Sequence, residues 1–169
     1  MFETLSWGRR HVVMGANQVD RFGNQNISAF GPLQQPTRQM FGVRGAPGNA
    51  INHATSYWVG NHSKRVFCEK VDVVCGIGLG QRGFRQPAFR FANTHRVVSN
   101  LGCSTSAAGP DHAGGEPAPR VSPQDVREAT SFEIHGLDEA DETRLPTDDE
   151  LRLIREVIDP KSLRDREIR

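Results

Sequence analysis

The stretch Gly15–Ser28, GANQVDRFGNQNIS, follows the apolar run His11–Met14 and determines how the rest of the chain is interpreted. The apolar run predicts a strand over Arg10–Met14, and the amide and turn-forming residues after it predict a polar loop (loop 1, residues 15–28). In open α/β sheets, ligands bind beyond the carboxyl ends of the strands, so polar side chains placed there are candidates for a binding site. The candidates in loop 1 are Asn17, Gln18, Asp20, Arg21 and Asn24.

A second glycine-rich loop, Arg44–Asn49 (RGAPGN, loop 2), follows the short apolar run Met40–Val43. The apolar residues after loop 2 recur at helical spacing, which predicts a helix that begins with Asn49 as its N-cap. The residues with this spacing are Ile51, Ala54, Tyr57 and Trp58. The free N–H groups of such a helix start attract carboxylate, phosphate or thioester oxygens, although glycine and proline also shape loops without any binding role. The candidates in loop 2 and the helix are Arg44, Gly45, Gly48, Asn49 and Asn52.

Further strands are predicted from their apolar and β-branched residues at Asn26–Phe30, Arg65–Glu69, Val71–Cys75 and Arg96–Val98. The sequence GIGLG at Gly76–Gly80 is similar to the glycine fingerprint of dinucleotide sites. It lacks the amphipathic helix and the acidic residue about 20 positions on that such a site requires, so it is interpreted as an ordinary loop. The alternation of apolar strands with helices favours the α/β class.

Glycine, serine, alanine and proline dominate Leu101–Arg120, where large apolar side chains are almost absent. Such a segment cannot contribute much to a core and is predicted to be exposed or mobile. It divides the chain into an α/β core over residues 1–102, a flexible loop over residues 103–121 and a C-terminal tail over residues 122–169.

The C-terminal tail carries two helix starts. Ser122 followed by Pro123 predicts an N-cap and first turn, and Thr147–Glu150 is a capping box ahead of apolar residues on one helix face. Between them, Ser131–His135 (SFEIH) predicts a short strand.

The chain of 169 residues carries 21 Lys and Arg against 20 Asp and Glu, a formal net charge of +1. This balance argues against nucleic acid or a membrane surface as the partner and leaves small molecules and proteins. No apolar run approaches the roughly 20 residues of a membrane span. Cys68, Cys75 and Cys103 show neither a CxxC pair nor zinc-type spacing, so we expect reduced thiols, no metal and a cytoplasmic location.

Three motifs, in chain order, resemble the β subunits of the class I coenzyme A transferase superfamily. They are GANQVDRFGNQNIS of loop 1, KRVFCEKVDVV at Lys64–Val74 and LRLIREVIDPKSL at Leu151–Leu163. Within that superfamily, residues 40–60, 96–102 and 145–169 are most similar to the β subunits of steroid ring-degrading coenzyme A hydrolases. The resemblance implies an open, mainly parallel α/β sheet with flanking helices, of which the first strand–helix unit is missing from this chain.

The resemblance also implies an activity, namely hydrolytic opening of the ring of a cyclic β-keto acyl-CoA in late steroid and cholesterol ring degradation. It implies an α subunit as the partner, in an α2β2 assembly, with coenzyme A present only as part of the substrate and no further cofactor. Ordinary transferases carry a glutamate that accepts the acyl group, and no glutamate here matches its motif. The glutamates compared with it are Glu3, Glu69, Glu116, Glu128 and Glu133. The resemblance therefore places the catalytic base on the α subunit and leaves the residues of loops 1 and 2 as contacts to the acyl-CoA.

Opening a β-keto thioester ring requires a hydroxide equivalent at the ketone and hydrogen-bond donors for the oxyanions that develop. The amides and arginines of loops 1 and 2 are suitable donors, but the same residue types also serve turn geometry. Two alternatives stay open: a subunit of an acyl-CoA:carboxylate CoA-transferase, and an inactive remnant or scaffold.

Overall fold

The computed structural model describes residues 10–78, 87–106 and 113–166. Within these ranges, the strands are β1 (His11–Gly15), β2 (Gln18–Val19), β3 (Gln25–Asn26), β4 (Ala29–Phe30), β5 (Arg38–Gln39), β6 (Ala54–Val59), β7 (Asn93–Ser99), β8 (Gly102–Ser106) and β9 (Ala113–Pro117). The α-helices are α1 (Ala46–Asn52), α2 (Pro123–Ala129) and α3 (Asp148–Arg152). Helix α3 continues as a π-helical turn at Leu153–Ile158, and 3-10 turns lie at Pro87–Phe89 and Leu163–Arg166.

The central sheet has the strand order β1-β6-β7-β8-β9. Strands β1, β6 and β7 run parallel, and β8 and β9 extend the sheet as antiparallel strands. Helix α1 connects into β6 and packs against β6 and β7. This arrangement confirms the α/β class and the predicted strands at β1 and β7, and it directs the carboxyl ends of three parallel strands toward one edge of the sheet.

Strand β6 corrects the prediction of a helix from Asn49 through Trp58. Helix α1 begins earlier, with Gly45 as its N-cap, and ends at Asn52, so Asn49 lies inside it. The residues that follow form the middle strand of the parallel part of the sheet, where Thr55, Ser56 and Tyr57 are buried in succession. Three consecutive buried residues break the alternation that marks a half-buried strand, and β-branched and aromatic side chains favour a strand over a helix.

The hairpin of β8 and β9 corrects the prediction of a flexible loop over much of residues 103–121. Strand β8 pairs with β7 on one side and with β9 on the other, and Cys103 is buried between its neighbours. Backbone hydrogen bonds make this pairing, so it needs no large side chains. At Gly102 a Cβ atom would lie 2.5 Å from the carbonyl oxygen of Glu116, so glycine is required there. Residues 107–112 lie outside the described ranges.

Four strand predictions are wrong in part or in whole. Residues 26–30 divide between β3 and β4, which belong to separate two-stranded ladders with β2 and β5. Residues 65–69 contribute a single bridge to loop 1, Phe67 with Val19, and residues 71–75 contribute none. The bridge just after them pairs Gly76 with Gln25. Residues 131–135 form no strand. Their apolar side chains instead cover loop 1 and the hairpin. Alternating apolar residues are found both in strands and in such covering segments, so the pattern alone does not distinguish the two.

The core of the described residues has two clusters. One contains Val19, Tyr57, Val59, Phe67 and Val97 between loop 1 and the sheet, and the other contains Val126, Ile134 and Leu137 beneath α2. The predicted N-cap at Ser122 and the predicted capping box of Thr147 with Glu150 are both present, and Ser122 also forms a capping box, with Asp125. Among the described residues, no helix has the length and apolar character that crossing a membrane requires.

Candidate functional site

Loop 1 leaves the sheet at Gly15, the last residue of β1, and folds back on itself as the ladder of β2 with β3. Its turn lies at residues 20–24, where the N–H of Gly23 donates to the carbonyl oxygen of Asp20 at 2.9 Å. Gly23 has a φ of +77°, in the left-handed region that favours glycine. Loop 1 therefore stands at the carboxyl edge of the parallel strands, as the sequence predicts.

A network of buried amides and a carboxylate fixes the shape of loop 1. The Asp20 carboxylate accepts from the N–H groups of Phe22 and Asn24, each at 3.0 Å, and from Asn24 Nδ2 at 2.9 Å. Asn24 Oδ1 in turn accepts from the N–H of Gly78 at 2.9 Å. Every polar side-chain atom of Asn24 thus has a partner within the chain, and this residue is 1% exposed.

Gln18 and Asn26 form the second half of this network. Asn26 Nδ2 donates to Gln18 Oε1 at 2.6 Å and to the carbonyl oxygen of Ala29 at 2.7 Å. Gln18 Nε2 donates to Asp72 Oδ2 at 3.1 Å, and Gln18 Oε1 also accepts from the N–H of Asp72 at 3.0 Å. Of the predicted site residues, Gln18, Asp20 and Asn24 are therefore engaged in holding the loop, and a direct role in ligand contact for them stays a prediction.

Burial raises the pKa of Asp20 above its ordinary value, and the hydrogen bonds from Asn24 and Phe22 oppose that rise. Its carboxylate forms no ion pair with Arg21 among the described residues, because it is turned toward the N–H groups of its own turn. Asp20 thus acts as an acceptor for the turn.

Asn17 and Arg21 are the predicted residues of loop 1 that face solvent. The backbone N–H of Asn17 donates to the carbonyl oxygen of Asn26 at 3.0 Å, and the side chain of Asn17 is exposed. The Arg21 guanidinium carbon lies 5.7 Å from the centre of the Phe22 ring. These two side chains are available to a ligand in a way that the buried members of loop 1 are not.

Loop 2 is brought next to the end of β1. Asn49 Nδ2 lies 3.3 Å from the sulfur of Met14, while Asn52 Nδ2 donates to the carbonyl oxygen of Gly48 inside α1. Arg44 is exposed and makes no hydrogen bond or ion pair with another residue in the described ranges. Gly45 and Gly48 are exposed as well. The structure therefore unites loops 1 and 2 at one end of β1, and within the described ranges the Arg44 side chain has no ion-pair partner.

A pocket that the sequence does not predict opens on the other side of loop 1. It lies between the loop, the hairpin of β8 and β9, and the segment around α2, and its walls are mostly apolar. Residues of loop 1 that line it are Val19, Asp20, Arg21, Phe22 and Gly23. Polar residues from elsewhere are His62, Ser99, Ser104 and Glu116, and Glu116 lies 4.0 Å from Arg96.

His62 is the most constrained polar group of this pocket. Its ring stacks on Phe67 with 3.6 Å between centroids, and its nitrogens lie 2.8 Å from Ser99 Oγ and 2.9 Å from Thr130 Oγ1. The Thr130 hydroxyl donates to the carbonyl oxygen of Val126, so it accepts from Nε2–H. The Ser99 hydroxyl lies within donating distance of both His62 Nδ1 and the carbonyl oxygen of Gly102. Burial lowers the pKa of His62 to about 4, so the ring is a neutral structural link between β7 and α2.

No local sequence motif predicts the role of His62, because its hydrogen-bond partners lie 37 and 68 residues further along the chain. The described residues contain no group of three or more His, Cys, Asp or Glu side chains suited to a metal ion. All three cysteines are free thiols, and Cys75 and Cys103 are buried.

No family model matches the chain. It is 73% identical over 171 aligned positions to the cholesterol ring-cleaving hydrolase IpdB subunit of Mycobacterium tuberculosis, and the match takes in 100% of this chain and 68% of that relative. The crystal structure of Rhodococcus jostii IpdAB superimposes with a TM-score of 0.88 at 60% identity, covering 99% of this chain and 68% of that one. Glutaconate coenzyme A-transferase from Acidaminococcus fermentans follows with a TM-score of 0.80 at 28% identity, covering 90% of this chain and 60% of that one.

Proposed function

The chain belongs to the family of IpdB subunits of cholesterol ring-cleaving hydrolases, and we propose on this basis that it helps to open the ring of a cyclic β-keto acyl-CoA. It is a subunit of a heteromeric hydrolase with the coenzyme A transferase fold. The observation that carries this conclusion is the 73% identity, which extends through loop 1, loop 2 and the hairpin of β8 and β9.

The reaction that fits this family begins with attack of an activated water on the ring ketone. The carbon–carbon bond next to the ketone then breaks, its electron pair is held as the enolate of the thioester, and a proton from the general acid completes the open-chain product. The base that activates water belongs to the α subunit in this proposal. The present chain contributes donors and cations that hold the acyl-CoA while the oxyanions form.

Arg21 and Arg44 are the residues of this chain that we assign to substrate contact. Both residues are exposed, Arg21 in the turn of loop 1 and Arg44 in loop 2, and Arg44 has no partner among the described residues. The phosphates of coenzyme A are anionic, and arginine binds phosphate through a pair of parallel N–H bonds. Asn17 and the backbone of loop 2 provide neutral donors nearby, while Gln18, Asp20 and Asn24 keep loop 1 in place.

The activity is tested on the complex of this chain with its α subunit, purified together. With a cyclic β-keto acyl-CoA, we expect an acyl-CoA product heavier by one water, detected by mass spectrometry with the coenzyme A still attached. Release of free coenzyme A would show thioester hydrolysis instead. Exchange of labelled acetate or succinate into the thioester would establish the transferase alternative, and an inert complex would leave the chain as a scaffold.

The substrate contacts are tested with Arg44→Gln and Arg21→Gln in the same complex. Loss of one charge-assisted hydrogen bond raises KM by about tenfold or more, with a smaller effect on kcat. The matched control is Arg120→Gln, which removes an exposed arginine from the loop before α2. Equal KM values for all three variants would remove loops 1 and 2 from the binding site.

We also propose the stoichiometry, location and cofactor status of the complex. An α2β2 assembly is expected in native mass spectrometry. A cytoplasmic location is supported by the three free cysteines, since reduced thiols persist there. No cofactor beyond the coenzyme A of the substrate is needed for the steps above, and dialysis against a chelator should leave the rate unchanged.

A further inference from the structure

Two fully buried polar atoms beneath loop 1 have no hydrogen-bond partner among the described residues. They are the side-chain oxygen Oε1 of Gln25 and the hydroxyl of Tyr57. Both residues are 0% exposed, Gln25 in β3 of loop 1 and Tyr57 in β6, between β1 and β7. Buried polar atoms in native proteins nearly always have a partner, either in the chain or in ordered water.

Both atoms lie beside Gly76. A Cβ atom built on Gly76 would stand 2.9 Å from Gln25 Oε1 and 3.2 Å from the Tyr57 hydroxyl. The two atoms are therefore near enough to each other for one small group to bridge them, and a side chain at position 76 would press against both. The backbone on either side is fixed, because the N–H groups of Cys75 and Gly76 both donate to the carbonyl oxygen of Gln25.

The donor and acceptor roles of the two atoms are determined by their surroundings. Gln25 Nε2 donates to the carbonyl oxygen of Gly15 at 2.6 Å, so the other end of the amide is an acceptor. Burial and the nearby negative charge of Asp20 raise the pKa of Tyr57 above its ordinary value, so its hydroxyl keeps its proton and can donate. One group that both accepts and donates would satisfy the pair.

We propose that the space beside Gly76 is the binding site of one internal water molecule, which accepts a hydrogen bond from the Tyr57 hydroxyl and donates one to Gln25 Oε1. Water has the size and the two-sided hydrogen bonding that the site requires. The bridge joins the central strand β6 to loop 1 and, through Gln25 Nε2, to the end of β1. It adds a fixed point beneath the candidate binding site without touching the ligand.

The first test is a crystal structure of this chain with its partner subunit at a resolution that shows ordered waters. The expected result is a water peak within hydrogen-bond distance of both Gln25 Oε1 and the Tyr57 hydroxyl. No peak at this position, or a side-chain rearrangement in which the two atoms bond each other directly, would overturn the proposal.

The second test is the sign of a stability change in the same complex. If water bridges the pair, Tyr57→Phe removes a satisfied hydroxyl and lowers the Tm by a few degrees. If the hydroxyl has no partner, the same substitution relieves an unsatisfied group and leaves the Tm unchanged or higher, which contradicts the proposal. Gly76→Ala displaces the water, so Tyr57→Phe should lose its effect in that background. An undiminished effect would also count against the bridge.

Discussion

Asn24→Ala is the change that most directly tests how loop 1 is held. Asn24 Nδ2 donates to the Asp20 carboxylate, and Asn24 Oδ1 accepts from the N–H of Gly78. Alanine removes both bonds and leaves two groups without that partner in a region where Asn24 itself is 1% exposed. A substitution here therefore disconnects the turn at residues 20–24 from the segment that contains Gly78.

The magnitude follows from the two buried hydrogen bonds that are lost, one to the Asp20 carboxylate and one from the N–H of Gly78. Each buried group that loses its hydrogen bond costs about 1–3 kcal/mol, so two groups cost about 2–6 kcal/mol. Because whole domains are stable by only about 5–15 kcal/mol, this is a large fraction of the total. Urea unfolding of the purified complex, followed by circular dichroism at constant m-value, measures the loss.

Asn17→Ala is the matched control, because Asn17 lies in the same loop with its side-chain amide exposed. A surface substitution of this kind changes the free energy of unfolding by about 0.5 kcal/mol or less. If Asn24→Ala costs no more than Asn17→Ala, the buried network does not hold loop 1, and the reasoning above is refuted.

Three further predictions concern other parts of the fold. The pKa of His62 is about 4 in the folded chain and 6.5 in the unfolded chain, so between these values the unfolded chain binds the proton first. The free energy of unfolding should therefore fall as the pH drops from 6.5 toward 4. His62→Gln should flatten this dependence, measured as urea midpoints against pH. Gly78→Ala would place a Cβ atom 1.9 Å from the carbonyl oxygen of Phe22 and should prevent soluble expression. In the control Gly48→Ala, in α1, the new Cβ meets nothing within 4 Å, so the Tm should be equal or higher. Similar yields of the two variants would contradict the packing described. Ser122→Ala removes the cap of α2 and should cost about 1 kcal/mol in urea unfolding, and no loss would show that the capping box is dispensable.

The sequence is sufficient to locate both loops, because their turn residues and polar side chains are local signals. The end of β1, the polar composition of loop 1 and the two capping boxes all follow from residues within a few positions of each other. Residues within a few positions of each other do not determine which side chains of loop 1 are exposed and which are buried. That difference depends on Asp72 and Gly78, about 54 residues away, whose hydrogen bonds no local pattern reveals.

The strand errors share a physical cause. The sequence does not indicate strand β6 because three of its residues in succession are buried, whereas a half-buried strand is predicted from alternation of apolar and polar residues. The composition of β8 and β9 does not predict strands because their pairing depends on backbone hydrogen bonds between small residues. Conversely, residues 71–75 have a strand-like composition but use Val71 and Cys75 to cover loop 1. Local composition reports which side chains are buried more reliably than it reports which backbone groups pair.

The network that holds loop 1 consists largely of neutral amides, with its Asp20 carboxylate bonded to N–H groups and not to a cation. Dissolved ions screen interactions between exposed charges far more than hydrogen bonds between buried neutral groups. The geometry of loop 1 should therefore be the same in dilute buffer and in concentrated salt. A change of acyl-CoA affinity with ionic strength would consequently report on the solvent-facing arginines, separately from the shape of the loop that carries one of them.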